Sequence, residues 1–178
     1  MTNPLLAEFA TPFHTPPFDQ IQTEHFLPAI QESIQLAKKE IEKIKSEPLP
    51  TFENTIEALD GSGKKLGVIS ATFFNLNSAE TNDEIQKLAR EISPLLTEHS
   101  NDILLDAELF QRVSQVYQNT DKKSLSPEQW TLLDKTYKSF VRNGAKLSPD
   151  QAAELRKIDQ ELAQTSLKFG ENVLAETN

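Results

Sequence analysis

Three histidines, His14, His25 and His99, are the only imidazoles in a 178-residue chain that has no cysteine. No two of them stand four residues apart, so the H-E-x-x-H pair that holds zinc on one helix face is missing from this stretch. Glu-x-x-His, the di-iron pair of carboxylate bundles, is missing as well. Glu98 and His99 are adjacent, and neighbours on a helix point apart. His99 falls on the apolar face of its helix, which favours a buried, hydrogen-bonded structural histidine over a ligand or a base. His14 and His25 sit beside Phe13 and Phe26, where capping or packing is expected. With no thiol, these residues offer no disulfide, no Cys-ligated zinc, no thiolate nucleophile and no iron–sulfur cluster.

The carboxylates are numerous but fall on polar helix faces. Glu40 with Lys43, and Asp134 with Lys138, have the spacing of ordinary intrahelical pairs rather than of an acid–base couple. Gly61-Ser62-Gly63-Lys64-Lys65 has a phosphate-loop flavour, yet it lacks the G-x-x-x-x-G-K-[ST] spacing and a preceding strand. There is no G-x-S-x-G elbow. No catalytic, cofactor-binding or metal-binding residue is assigned in this stretch.

The elements that carry these residues read as helices. Lys and Arg total 18 against 27 Asp and Glu, a net charge of -9. Clustered positive charge, which nucleic acid and anionic lipid both demand, is not the character of such a chain. No apolar run approaches the roughly 20 residues of a membrane span. The stretch Met1–Glu8 has neither a basic start nor a long apolar run, so a cytoplasmic location is expected. Residues 1–22 hold Pro4, Pro12, Pro16 and Pro17 among large apolar side chains, and are expected as an extended, proline-rich arm packed on the helices. Residues 23–178 are expected as the helical domain.

Leu27, Ile30, Ile34, Ala37, Ile41 and Ile44 recur at spacings of three and four, which predicts a helix over 28–45 with Thr23 as a cap candidate. Thr51 or Asn54 caps a second helix, over roughly 54–79, with the stripe Phe52, Ile56, Leu59, Gly63, Leu66, Ser70 and Phe73. These two helices form an antiparallel hairpin in which Ile34 and Ile41 pack on Leu59 and Leu66. At Gly63 the alternatives are a close helix crossing and a helix break. Asn82 caps a third helix, bent at Pro94, and Asp106 starts a fourth. Ser126-Pro127-Glu128-Gln129 and Ser148-Pro149-Asp150-Gln151 start the fifth and sixth, each with a serine cap and proline at the first helical position. Asn143-Gly144 ends the fifth. The sixth carries the stripe Leu155, Ile158, Leu162, Thr165, Phe169 and Val173, still periodic near Asn178, which suggests a chain cut from something longer. The fold class is all-α, about six helices in antiparallel hairpins.

Several words along the chain are more specific than their physics. Asn3-Pro4-Leu5-Leu6, Pro17-Phe18-Asp19-Gln20-Ile21, Glu24-His25-Phe26-Leu27-Pro28-Ala29-Ile30 and Thr51-Phe52-Glu53-Asn54-Thr55-Ile56-Glu57-Ala58-Leu59 resemble the opening of the thimet oligopeptidase family of zinc metallopeptidases. Thr81-Asn82-Asp83-Glu84, Leu109-Phe110-Gln111-Arg112-Val113 and Phe140-Val141-Arg142-Asn143-Gly144-Ala145-Lys146-Leu147 continue the match in register, closest to the bacterial peptidyl-dipeptidase branch, with oligopeptidase A as near neighbour. The resemblance implies a parent enzyme with zinc on an H-E-x-x-H helix and a later Glu, all far downstream of residue 178. It implies that this stretch is the N-terminal helical domain walling a substrate channel, with short peptides as the parent's substrate and the catalytic half of the same polypeptide as partner. Self-association through the face that half covers is a further expectation. The alternatives are a free-standing helical interaction module and part of an oligopeptidase A-like endopeptidase.

Overall fold

The computed structural model describes residues 3–177; Met1 and Thr2, which fall in the expected arm, and Asn178 lie outside the described residues. Helices α1 (Phe26–Ser46), α2 (Ala58–Gly61), α3 (Lys64–Ala79), α4 (Asp83–Leu104), α5 (Ala107–Asn119), α6 (Pro127–Arg142) and α7 (Pro149–Thr177) follow one another, with a π-helical turn at Phe52–Glu57. There is no strand among the described residues. Among the described residues no helix is long and apolar enough to cross a membrane. The all-α class read from the sequence holds.

Most helix starts sit where local chemistry puts them. Asn82 Oδ1 accepts from the Ile85 amide at 2.9 Å, and Asp106 Oδ1 from that of Leu109 at 2.8 Å. Ser126 and Gln129 form a reciprocal capping box at 3.0 and 3.2 Å, and Ser148 with Gln151 repeats it. Each satisfies amides the helix itself leaves unpaired. Gly144 ends α6 at φ 98°, and a Cβ there would lie 2.7 Å from Leu155 Cδ2. The left-handed backbone favours glycine, and any side chain there would also have to displace the ends of Leu155 and Leu147.

Two boundaries differ from the sequence reading. Gln22, not Thr23, stands at the first cap: its amide donates to His25 Nδ1 at 2.9 Å ahead of a 3₁₀ turn at Thr23–His25, and α1 begins at Phe26. The second helix is not continuous over 54–79. Thr51 caps the π-helical turn, α2 stops at Gly61, and Ser62 is extended. Gly63 at φ 66° then opens α3. The break, not a close crossing, accounts for Gly63, because a left-handed residue cannot continue a right-handed helix.

The chain divides into two compact units. The first comprises residues up to Ala37, Gly63–Thr97 and the stretch from Gln160 onward. Its core holds Leu5, Phe26, Ile30, Ile34, Leu66, Ile69, Phe73 and Ile92. Leu6 and Ile21, from the proline-rich stretch, pack against it. Phe13, at φ 60° and 95% exposed, does not share that core. The second unit comprises Lys38–Ser62 and Glu98–Asp159. Its core holds Ile41, Ile44, Phe52, Ile56, Leu109, Val113, Val116, Leu133 and Phe140. The single seam expected for Ile34, Ile41, Leu59 and Leu66 is therefore two. Ile34 shares a core with Leu66, and Ile41 shares the other with Leu59.

Candidate functional site

The second unit buries charge. Arg112 is 8% exposed, on the apolar face of α5 between Leu109 and Val113. Its guanidinium donates to the carbonyls of Glu47 at 2.5 Å and Lys45 at 3.5 Å, and to Thr55 Oγ1 at 3.5 Å. Those carbonyls belong to the end of α1 and the residue just past it, where the helix leaves acceptors unpaired and its dipole favours a cation. Next to them, Lys45 Nζ lies 2.9 Å from Asp106, 3.1 Å from Glu42 and 3.3 Å from Glu108. The hydrogen bond to Asp106 holds this ammonium well above its ordinary pKa, against the opposing effect of burial. Asp106 thus serves twice, capping α5 and pairing Lys45.

A second polar group lines a cavity of ≈ 340 Å³ bounded by Lys38, Ile41, Glu42, His99, Asp102, Ile103 and Asp106. Asp102 lies 2.9 Å from both Lys38 and Arg156. Burial pushes its carboxyl up, but the hydrogen bonds and charges of those two cations outweigh it and hold the carboxyl below its ordinary value. His99 is 7% exposed, and burial, then the charge of Lys38, push its imidazole below the ordinary value against the opposing charge of Asp102. His99 is buried, as its place on the apolar face implies. The hydrogen bond expected with that burial is absent at Nδ1, which has no partner among the described residues. The imidazole is packed, and burial disfavours its charged form.

The other sequence candidates are structural. His25 closes the cap at Gln22, and His14 Nδ1 lies 3.0 Å from the Phe9 carbonyl. Asp134 pairs with Lys138 at 2.6 Å and accepts from Tyr117 at 3.2 Å. Glu40 and Lys43 line a cavity of ≈ 420 Å³ with Ile44, Asn54 and Ala58. Gly61–Lys65 forms the α2–α3 break. Among the described residues, no group of three His, Asp or Glu is placed to hold a metal ion. The zinc that the family resemblance implies therefore does not fit these residues.

Sequence reasoning missed Arg112 and Lys45 as organising groups. The signal for Arg112 was available: it falls three residues after Leu109 on the stripe that Val113 and Val116 continue. It also missed the orientation of α7. Leu162, Phe169 and Val173, from the stripe assigned to its packing face, are exposed, and Leu167 packs on the first core instead.

The geometry offers scaffold and surface, and the chain is similar in sequence to part of several peptidases. No protein-family model matches the chain. It is 38% identical over 174 residues to the dipeptidyl carboxypeptidase of Escherichia coli, an alignment that covers 97% of this chain and 26% of that protein. It is 27% identical over 178 residues to oligopeptidase A of the same organism, again over 26% of the relative. With a thimet-like oligopeptidase of Dictyostelium discoideum it shares 31% identity over 147 residues, or 22% of that protein. The chain is homologous to the N-terminal quarter of dipeptidyl carboxypeptidases and oligopeptidases A. It spans about a quarter of the length of the curated relatives it matches.

Proposed function

We propose that these residues form the N-terminal helical wall domain of a zinc-dependent peptidyl-dipeptidase acting on short peptides and releasing dipeptides from their C-terminal end. The observation that carries this is the 38% identity to a dipeptidyl carboxypeptidase over nearly the whole chain, confined to a quarter of that relative's length. The domain's role is support: it builds part of the channel that admits short peptides, and the metal, the base and the reacting water's site belong to the remaining three quarters. Site residues are accordingly assigned to none of these 178 positions. A cytoplasmic location is part of the same proposal.

The open reading frame beyond residue 178 is the first test, and an H-E-x-x-H followed by a further Glu is the expected finding. A stop codon directly after Asn178 would replace the proposal with a free-standing helical interaction module. The second test assays the 178-residue chain and the whole polypeptide side by side on short peptides, with and without a chelator. Chelator-sensitive dipeptide release by the whole polypeptide alone is expected. Release by the 178-residue chain would refute the assignment, and internal cleavage by the whole polypeptide would shift it to the oligopeptidase A type.

A further inference from the structure

The strongest unexplained feature lies on the C-terminal half of α7. Within residues 160–177 the side turned to the first core carries Leu167, and Glu171 pairs with Arg90 at 2.6 Å. Leu162 is 61% exposed, Phe169 69% and Val173 47%. At spacings of seven and four these three fall within about 40° of one another on a helix that turns 3.6 residues per turn. They make the stripe that a burial face should have, on a side left largely exposed among the described residues. Ser166 and Gly170 flank them on one side with small, uncharged groups, and Glu176 stands at the other edge.

Gly170 points the same way independently. It lies well inside α7, and a Cβ placed on it meets nothing within 4 Å. Glycine is among the weakest helix formers, so its cost here has no return from packing in this chain. A backbone approaching this side of the helix closely would need a residue without a side chain.

We infer that the Leu162–Phe169–Val173 face, with Ser166 and Gly170, docks an apolar helix from the part of the polypeptide that the longer relatives possess and this sequence does not include. The inference rests on the proposed function, in which this chain is the first part of a longer peptidase. The relatives are about four times its length, which supplies the covering segment. A second copy fits poorly: three apolar side chains fall far short of the roughly 800 Å² per partner that stable association between separate chains needs. A tethered segment docks at high effective concentration and does not need that area.

The test compares the 178-residue chain with the whole polypeptide from the same gene. Phe169→Cys introduces the only thiol into a stretch with no cysteine, and maleimide labelling is read at that position by peptide mapping. Labelling at least about tenfold slower in the whole polypeptide is expected, as is slower hydrogen exchange over 160–177 in the unmodified proteins. Equal labelling and exchange in both would overturn the inference. So would a concentration-dependent dimer of the 178-residue chain that Phe169→Glu disperses, since the occupant would then be a second copy. Gly170→Leu should leave the Tm of the 178-residue chain unchanged or higher and lower that of the whole polypeptide by several degrees. An equal fall in both would mean that the glycine serves packing inside this chain, against the inference. Dipeptide release is measured on the same preparations. Protection at 169 without peptidase activity removes the peptidase reading and keeps the docked face. Activity with equal labelling does the reverse.

Discussion

The core of the first unit gathers Leu5, Phe26, Ile30, Ile69, Phe73 and Ile92, and among the described residues its buried polar side chains are the small hydroxyls of Ser33 and Thr72. The core of the second gathers a similar set around Phe52, Ile56, Leu109 and Phe140, but that unit also buries Arg112, His99 and Asn101. An aromatic run, Phe140, Phe110, Tyr137, Tyr117 and Trp130, stacks through it, with Tyr117 and Tyr137 only 4.1 Å apart. Apolar contact is non-directional and sums over area. Guanidinium bonds to the carbonyls at a helix end are directional, and they hold the end of α1 against α5 in one geometry. The first unit thus depends on volume and leaves an apolar helix face uncovered. The second depends on volume and on a buried polar hub.

The largest effects should be common to both cores. Phe73→Ala and Phe140→Ala should each cost about 3–5 kcal/mol in urea denaturation, because each removes a fully packed ring. Ile41→Ala in the second core should cost about 2–4 kcal/mol. A loss below about 0.5 kcal/mol in any of the three would show that its core is not consolidated in solution.

Arg112 separates the units. Arg112→Met keeps apolar volume but leaves the Glu47 and Lys45 carbonyls without their donor, and should cost about 1–3 kcal/mol. Ser33→Ala in the first unit, where the hydroxyl has no partner among the described residues, should stay within about 0.5 kcal/mol. Equal effects from the two substitutions would erase the distinction between the cores.

Glycines sharpen it further. Gly144→Ala in the second unit meets a left-handed backbone and Leu155, and should destabilise by about 1–3 kcal/mol. Gly170→Ala in the first unit should gain up to about 1 kcal/mol in the 178-residue chain. Thermal unfolding of the pair should move in opposite directions.

The smallest effect is in pH. Burial, then the charge of Lys38, hold the His99 pKa below its ordinary 6.5, so the unfolded chain takes up this proton first as pH falls through 6.5, and stability declines from there. His99→Asn should remove that part of the slope. Asp102, held ionised by Lys38 and Arg156, adds a separate loss below its ordinary 3.8, and Asp102→Asn should remove only that one. Titration of urea midpoints between pH 3 and pH 8 resolves the two windows.

The helix starts were legible because they are local. Asn82, Asp106, Ser126 and Ser148 each bond amides within three residues, and no distant contact changes that need. The α2–α3 break was less legible, since Gly63 on an apolar stripe suits a crossing as well as a break, and only its backbone angle separates the two. Arg112 was left off the α5 stripe, because that stripe was built from apolar residue types before position on the helix was weighed.

From the sequence alone come the all-α class, most of the cap residues, the apolar stripe of α7 and the likeness to peptidases, because periodicity, capping and word matches are properties of near neighbours in the chain. Only the tertiary structure divided one expected seam into two cores, buried Arg112 against the end of α1 and showed which face of α7 is uncovered. Periodicity says that a face is apolar; which partner reaches it depends on segments far apart in sequence.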